Sequence, residues 1–166
     1  MLAWRLFLAP LIIGGLILLF VFDAKCGDWA PILWLLASLL ALRSTWELVQ
    51  LLRVRFNPNF PLLACLVLAV VSANWMFPCA GQTVADAPFA GSLGPAMLVY
   101  ALGVTALFVS GMVRYRAPGK SLESLGAELV TLSYVAVFVS LTVQLRWAGP
   151  VPHGYLALAS LIVATK

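Results

Sequence analysis

Charged residues are scarce in this sequence. Lys and Arg together number 10 and Asp and Glu 6, so that 10% of the 166 residues are charged, whereas 63% are hydrophobic. A soluble domain of this length does not need so many apolar residues to build a core, and it needs more charged residues to cover its surface. The composition therefore argues against a soluble globular protein and indicates that lipid surrounds most of the chain.

Residues that bind metals or act as nucleophiles are also few. His153 is the single histidine and lies in a loop, where a histidine is usually just solvated. The three cysteines have no metal-binding spacing, and Cys65 falls inside an apolar run, where it is expected to be a small apolar filler. Cys26 and Cys79 fall in loops predicted on the same side of the membrane, which leaves a disulfide between them open. We therefore assign no catalytic, cofactor-binding or metal-ligating residue from the sequence.

Six apolar runs organise the chain. They cover residues 6–22, 32–52, 60–77, 93–113, 125–145 and 155–165. A bilayer core about 30 Å thick requires roughly 20 apolar residues per helix, and about 17 can still cross. None of the runs alternates as a β-barrel strand would, so each is expected to be a helix. The sequence predicts an all-α, polytopic integral membrane protein with about six transmembrane helices in one domain, residues 1–166.

The first run is expected to remain in the protein as a helix, because no A-x-A cleavage site follows it. The distribution of positive charge predicts how the helices are oriented. On one predicted side of the membrane the loops carry two cations, Lys25 and Arg146. On the other side, seven cations lie at the two chain ends and in the second and fourth loops: Arg5, Arg53, Arg55, Arg114, Arg116, Lys120 and Lys166. Since cytoplasmic loops carry an excess of Lys and Arg, both termini are predicted to be cytoplasmic.

One polar stripe interrupts the apolar runs. Arg43, Glu47 and Gln50 are spaced i, i+4 and i+7 in the second run, so they share one face of a helix. A charge at membrane depth costs about 2.5 to 3.5 kcal/mol, and an ion pair between Arg43 and Glu47 reduces that penalty. The stripe is expected to face protein or a polar cavity. Two interpretations stay open: a polar cavity, where the stripe lines a substrate site or orients a metal, and a clasp between helices.

The sequence also resembles a known family in several loose motifs. Trp4-Arg5-Leu6 precede a helix with Gly14-Gly15, and the second helix ends in Glu47-Leu48. Further along are Thr131-Leu132-Ser133-Tyr134-Val135, Leu145-Arg146, and Gly154-Tyr155-Leu156 at the start of the run that ends at Lys166. In these features the chain is similar to the N-terminal part of bacterial phosphatidate cytidylyltransferases, also called CDP-diacylglycerol synthases.

The resemblance implies an integral enzyme of phospholipid biosynthesis in the inner (plasma) membrane. Such an enzyme joins CTP and phosphatidic acid to give CDP-diacylglycerol and pyrophosphate, using Mg²⁺. In the family the nucleotide- and metal-binding signature lies in the C-terminal half, which would begin at about Lys166 here. The chain is therefore expected to be the N-terminal, scaffold portion of a longer enzyme and to be inactive alone. The expected partners are phosphatidic acid, CTP and membrane lipids, with no nucleic acid, and a homodimer is left open.

The number and positions of the carboxylates are consistent with a scaffold portion that lacks the nucleotide site. Glu47, Glu123 and Glu128 are the acids on the predicted cytoplasmic side, too few and too scattered for a complete two-metal nucleotide site. The alternative is a non-catalytic membrane subunit or a small transporter component. A transporter would favour paired, Gly/Pro-broken spans in two halves, and the sequence shows no such pairing.

The charge asymmetry generates a topology prediction. Reporter fusions at Asn57, Gly91, Lys120 and Gly149 should read inside, outside, inside and outside, because the basic loops stay in the cytoplasm. The measurement is the paired activity of a reporter active in the cytoplasm and one active outside it. A cytoplasmic signal from the Gly91 fusion would contradict the six-span arrangement.

Overall fold

The computed structural model describes residues 14–15, 18–23, 25, 29–56, 58–76, 89–115, 120–147 and 151–164. These residues form helices and short connections, with no β-strand among them, which confirms the all-α prediction for this part of the chain. We number the helices α1 (Pro31–Leu52), α2 (Phe60–Ala73), α3 (Phe89–Val113), α4 (Lys120–Leu132), α5 (Phe138–Gln144) and α6 (Val151–Ala164). Residues 18–23 are also helical.

A π-helical turn, Ser133–Val137, connects α4 directly to α5, and a 3₁₀ turn, Leu145–Trp147, follows α5. Together these elements make one uninterrupted rod. Three stretches are long and apolar enough to cross a membrane: Pro31–Leu52, Leu93–Val113 and Leu122–Trp147, of 22, 21 and 26 residues. The total of six spans and the side on which each terminus lies stay predictions.

Several helix boundaries differ from the sequence prediction, and both α4 and α6 begin before their predicted runs, at Lys120 and Val151. The fourth run was expected to begin at residue 93, but α3 begins at Phe89 and contains Pro95. A proline inside a helix removes one backbone donor, which membrane helices tolerate when neighbouring groups compensate. The third run was expected to be helical to Phe77, but α2 ends at Ala73. The reason is Asn74, whose side-chain Nδ2 donates to the carbonyl oxygens of Val70 and Val71 at 3.3 and 2.9 Å and so satisfies the end of the helix.

The short helix α2 lies at the centre of the described chain. It packs against α1, α3, α4, α5 and the π turn. Its side chains Leu63, Val67 and Val71 are completely buried. Ala37 and Ala41, a pair of small residues one helical turn apart that allows close approach, are buried on α1, which packs against α2.

Helix α6 docks against the 3₁₀ turn. Gly154 makes this close approach possible, because a Cβ at that position would collide with the backbone carbonyl of Arg146. Backbone cannot rotate aside as a long side chain can. The docking of α6 therefore depends on glycine at position 154.

Replacing Gly154 with alanine should destabilise the protein by about 1–3 kcal/mol, since the added methyl group forces α6 away from the 3₁₀ turn. Gly126→Ala is the matched control, because a Cβ at Gly126 meets nothing within 4 Å and alanine favours a helix. Thermal unfolding in detergent measures both. Equal midpoints for the two variants would contradict the close approach of α6.

Candidate functional site

The predicted polar stripe lies on the outside of α1. Arg43 Nε is 2.9 Å from Glu47 Oε1, and the two side chains are 72% and 58% exposed. Gln50 is exposed on the same face. Within the described part of the chain, neither a cavity nor a helix clasp encloses these three residues. The stripe is thus an ion pair and an amide directed away from the helices that pack around α2.

A buried carboxylate joins three helices. Glu128 on α4 is 2% exposed, and its Oε1 accepts a hydrogen bond of 2.9 Å from the backbone N–H of Asn59, just before α2. The same oxygen lies 3.5 Å from Nη1 of Arg114, at the end of α3. Arg114 also donates to Ser110 Oγ through Nε and Nη2. Glu128 therefore holds the ends of α2 and α3 together and orients Arg114.

An apolar groove opens beside this cluster, between the end of α3 and the start of α4. It has a volume of about 280 Å³, and its lining consists of Phe108, Gly111, Met112, Tyr115, Leu122 and Leu125. Gly111 brings the two helices close, because a Cβ there would strike Leu125. Arg114 lies between Met112 and Tyr115 in the chain. A partly exposed cation and an apolar groove thus occur at one end of the α3–α4 hairpin.

A second buried polar cluster forms around Asp23. Tyr155 Oη donates to Asp23 Oδ2 at 3.0 Å, and the backbone N–H of Ile32 donates to Asp23 Oδ1 at 3.0 Å. The Arg146 guanidinium stacks 4.1 Å from the centre of the Tyr155 ring. Asp23 and Arg146 are 0% and 1% exposed. The cluster fixes α6 to the start of α1 and to the 3₁₀ turn.

Sequence reasoning missed this cluster because Asp23 and Arg146 each fall just beyond the end of an apolar run, with no pattern that brings them together. Two charges of opposite sign at the ends of apolar runs were the available signal. The partner that completes the cluster is a tyrosine 132 residues from Asp23, which no local pattern identifies.

Amide and hydroxyl groups form a third network next to α2. Asn74 Nδ2 donates to Ser140 Oγ at 3.0 Å, and Gln144 Nε2 donates to Asn74 Oδ1 at 2.8 Å. Ser133 Oγ lies 2.8 Å from Tyr100 Oη. Ser133, Ser140 and Gln144 therefore each bond a residue of another helix or of its end.

The tryptophans near the span ends have two different environments. Trp75 is 4% exposed, donates to the Trp29 carbonyl oxygen at 2.9 Å and packs edge-on against Trp147. Trp34 is partly exposed and donates to Ser72 Oγ at 3.2 Å. Trp75 therefore belongs to the core instead of the interface.

Among the described residues, no group of three or more His, Cys, Asp or Glu side chains could hold a metal ion. Cys65 is a free, exposed thiol, while Cys26 and Cys79 lie outside the described residues. Comparison with protein-family models, with curated proteins and with solved structures finds no match. The functional argument therefore depends on the site geometry and on the resemblance in the sequence.

The Asp23–Tyr155 hydrogen bond should appear as energetic coupling. Asp23→Asn and Tyr155→Phe should each destabilise the protein, and the double variant should lose less than the sum, by about 0.5–3 kcal/mol, because either change alone removes the same bond. Tyr100→Phe combined with Asp23→Asn is the control, since Tyr100 bonds Ser133 instead. Unfolding free energies that add for both pairs would show that the hydroxyl and the carboxylate do not interact.

Proposed function

We propose that this chain is the membrane scaffold of a phosphatidate cytidylyltransferase in the inner (plasma) membrane. The enzyme would join CTP and phosphatidic acid into CDP-diacylglycerol and release pyrophosphate. The motifs that resemble this family support the proposal, and so does the α3–α4 groove with Arg114 beside it. The position of Arg114 beside the apolar groove is the structural observation that supports the proposal, because phosphatidic acid combines apolar chains with an anionic phosphate.

The groove suits the apolar part of such a lipid. Its lining side chains come from aromatic, methionine and leucine residues, and ligand sites in proteins are mostly apolar with few polar groups. The groove lies at the end of α3, an apolar helix of membrane length. An acyl chain could therefore enter from the bilayer without crossing water.

Arg114 suits the phosphate of the lipid. Its side chain is 42% exposed, so the guanidinium remains accessible while Glu128 and Ser110 restrict its position. Guanidinium groups bind phosphate through paired, charge-assisted hydrogen bonds. Arg114 would hold the headgroup at the membrane surface, and Glu128 would act by positioning Arg114.

The nucleotide and the metal ion require residues other than these. Mg²⁺, when bound with CTP, would neutralise charge on the triphosphate, so that a phosphatidate oxygen can bond to the α-phosphorus of CTP as pyrophosphate leaves. The described carboxylates do not come together into a metal-binding group, so none is assigned to Mg²⁺. In this proposal the described chain binds and orients the lipid.

The test uses the complete gene product in membranes, with labelled CTP, phosphatidic acid and Mg²⁺. Arg114→Gln should raise the KM for phosphatidic acid roughly tenfold, the effect of losing about 1.4 kcal/mol from a charge-assisted hydrogen bond, and leave the KM for CTP unchanged. Arg114→Lys should have a smaller effect. Residues 1–166 alone should form no product.

Two controls separate lipid binding from folding. Arg55→Gln removes a cation from another loop on the predicted cytoplasmic side and should leave both KM values unchanged. Arg114→Gln alone leaves the buried carboxylate of Glu128 without its cation, and the double variant Arg114→Gln/Glu128→Gln removes that charge as well. If the double variant recovers the normal KM for phosphatidic acid, Arg114 has a role in folding and not in lipid binding. A complete gene product that inserts correctly yet makes no lipid product from CTP would favour a non-catalytic membrane subunit instead.

A further inference from the structure

Two consecutive residues at the end of the rod carry buried donors without an acceptor. Arg146 is 1% exposed, yet its Nε and Nη2 have no hydrogen-bond partner within the described part of the chain. The indole Nε1 of Trp147 is likewise buried and without a partner there. A buried donor that makes no hydrogen bond costs free energy, and a buried charge that is not paired costs more. An acceptor other than the described residues is therefore expected beside the 3₁₀ turn.

The acids near Arg146 do not supply this acceptor. Arg146 takes no part in the two ion pairs that the described residues form. Asp23 belongs to the same cluster, but its two oxygens accept from the hydroxyl of Tyr155 and from the backbone N–H of Ile32. The Tyr155 ring lies over one face of the guanidinium, whereas the N–H groups point outward in the guanidinium plane. The ring therefore stabilises the charge and leaves the two donors unbonded.

The two unpartnered nitrogens of Arg146 define which acceptor suits them. Nε–H and one N–H of Nη2 lie side by side on one edge of the planar guanidinium and point the same way. This edge matches two oxygens of a single carboxylate or phosphate group. The unpartnered groups of Arg146 and Trp147 are all donors, so the ligand has to accept hydrogen bonds and has nothing to donate to. An anion meets this requirement better than water, which also donates.

An apolar groove lies beside the same turn. Its volume is about 500 Å³, and its lining includes Trp29, Trp34, Leu35, Trp75 and Met76. The Trp75 ring also packs edge-on against the ring of Trp147, with the ring centres 5.5 Å apart. The groove therefore adjoins the residue that follows Arg146 in the chain.

We propose that Arg146 and Trp147 bind the phosphate group of a membrane phospholipid, one of whose acyl chains occupies this groove. The phosphate oxygens suit the unpartnered donors, and the acyl chain suits the apolar lining. Arg146 and Trp147 end the candidate span Leu122–Trp147, while Pro31, where the span Pro31–Leu52 begins, also lines the groove. The ends of spans lie at the depth of the lipid headgroups. A phospholipid at this depth carries both the anion and the apolar chain.

This lipid site is separate from Arg114. Arg146 lies 18 residues after Glu128 on the rod, about 27 Å along its axis, and Glu128 is the residue that Arg114 contacts. The phospholipid bound at Arg146 would be a structural lipid and not a substrate. The inference goes beyond the proposed function and does not depend on it, because a non-catalytic membrane subunit with the same 3₁₀ turn would bind the lipid in the same way.

The first experiment measures thermal unfolding of the delipidated, complete gene product in neutral detergent. Phosphatidylglycerol should raise the unfolding midpoint by about 3 °C or more beyond diacylglycerol with the same acyl chains, because a ligand that binds only the folded protein stabilises it. Arg146→Lys keeps the charge but lacks the paired donors, and it should lose at least half of this difference. Trp147→Phe keeps the ring and removes one donor, so it should lose a smaller part.

Matched controls separate this site from general effects of charge and aromatic rings. Arg43→Lys and Trp46→Phe should keep the full difference, because Arg43 pairs with Glu47 and Trp46 packs against Phe60. Inorganic phosphate at the same concentration as the lipid should give a much smaller shift. If inorganic phosphate gives the full shift, the ligand is a free anion and the lipid assignment is wrong.

The second experiment leaves the native sequence unchanged. Phosphatidylglycerol with a diazirine in one acyl chain is added in detergent, at about one molecule per protein, and irradiated. Mass spectrometry should locate the label on residues of the groove, such as Trp34, Leu35 or Met76. An excess of unlabelled phosphatidylglycerol should reduce this labelling roughly fivefold, because both lipids compete for one site, whereas the same excess of diacylglycerol should reduce it much less.

The two experiments decide the proposal together. A phospholipid-specific shift that Arg146→Lys diminishes, with labelling in the groove, supports it. Equal midpoints with phosphatidylglycerol and diacylglycerol would overturn it, and so would an Arg146→Lys variant that keeps the full difference. Labelling outside the groove, or labelling that diacylglycerol reduces equally, would also overturn it. If Arg146→Lys does not accumulate, the labelling of the native protein decides.

Discussion

The two ends of α2 impose the constraint on which the rest of the structure depends. A helix of 14 residues is too short to place both ends at the surfaces of a bilayer, and unsatisfied backbone groups in an apolar environment are costly. The protein satisfies both ends internally. Glu128 accepts from the backbone N–H of Asn59 at one end, and Asn74 caps the carbonyl groups at the other while bonding Ser140 and Gln144.

One continuous rod supplies the partners for both ends. Glu128 and Gln144 are separated by 16 residues, and Asn59 and Asn74 by 15, so the two spacings match at about 1.5 Å per residue. In a regular α-helix, Ser140 would be rotated about 120° from Glu128. The π turn between them accommodates one extra residue and reduces this rotation to roughly 20°. The π turn therefore brings the polar groups of α4 and α5 onto one face, toward α2.

The sequence predicted the elements of the fold better than their contacts. Apolar runs fix where helices form, because lipid requires internally bonded backbone, and the bounds of α1 agree to within one residue. The same runs contain no signal for the π turn or for the early end of α2, since both depend on partners far along the chain. For the candidate site, i, i+4 spacing was enough to predict that Arg43 and Glu47 lie side by side. It could not tell which way their face points, because that depends on where α2 packs.

The groove beside Arg114 was also beyond prediction, since its residues belong to two helices whose approach is set by Gly111. By contrast, the scarcity of carboxylates was visible in the composition. The sequence thus indicated that lipid surrounds the chain and showed which reactive residue types are present. The positions of Glu128, Arg146 and Tyr155 required the tertiary structure.

The distances along the chain between α2 and its partners have a consequence for biogenesis. Asn59 and Asn74 bond residues that are synthesised 69 and 70 positions later. While the ribosome is still making α3, the ends of α2 have no protein partners, and a helix this short cannot reach the headgroups on both sides. The ends of α2 therefore lack their final hydrogen-bond partners until the rod has emerged. The order of synthesis delays the packing of α2, although it is among the first of the described helices to be translated.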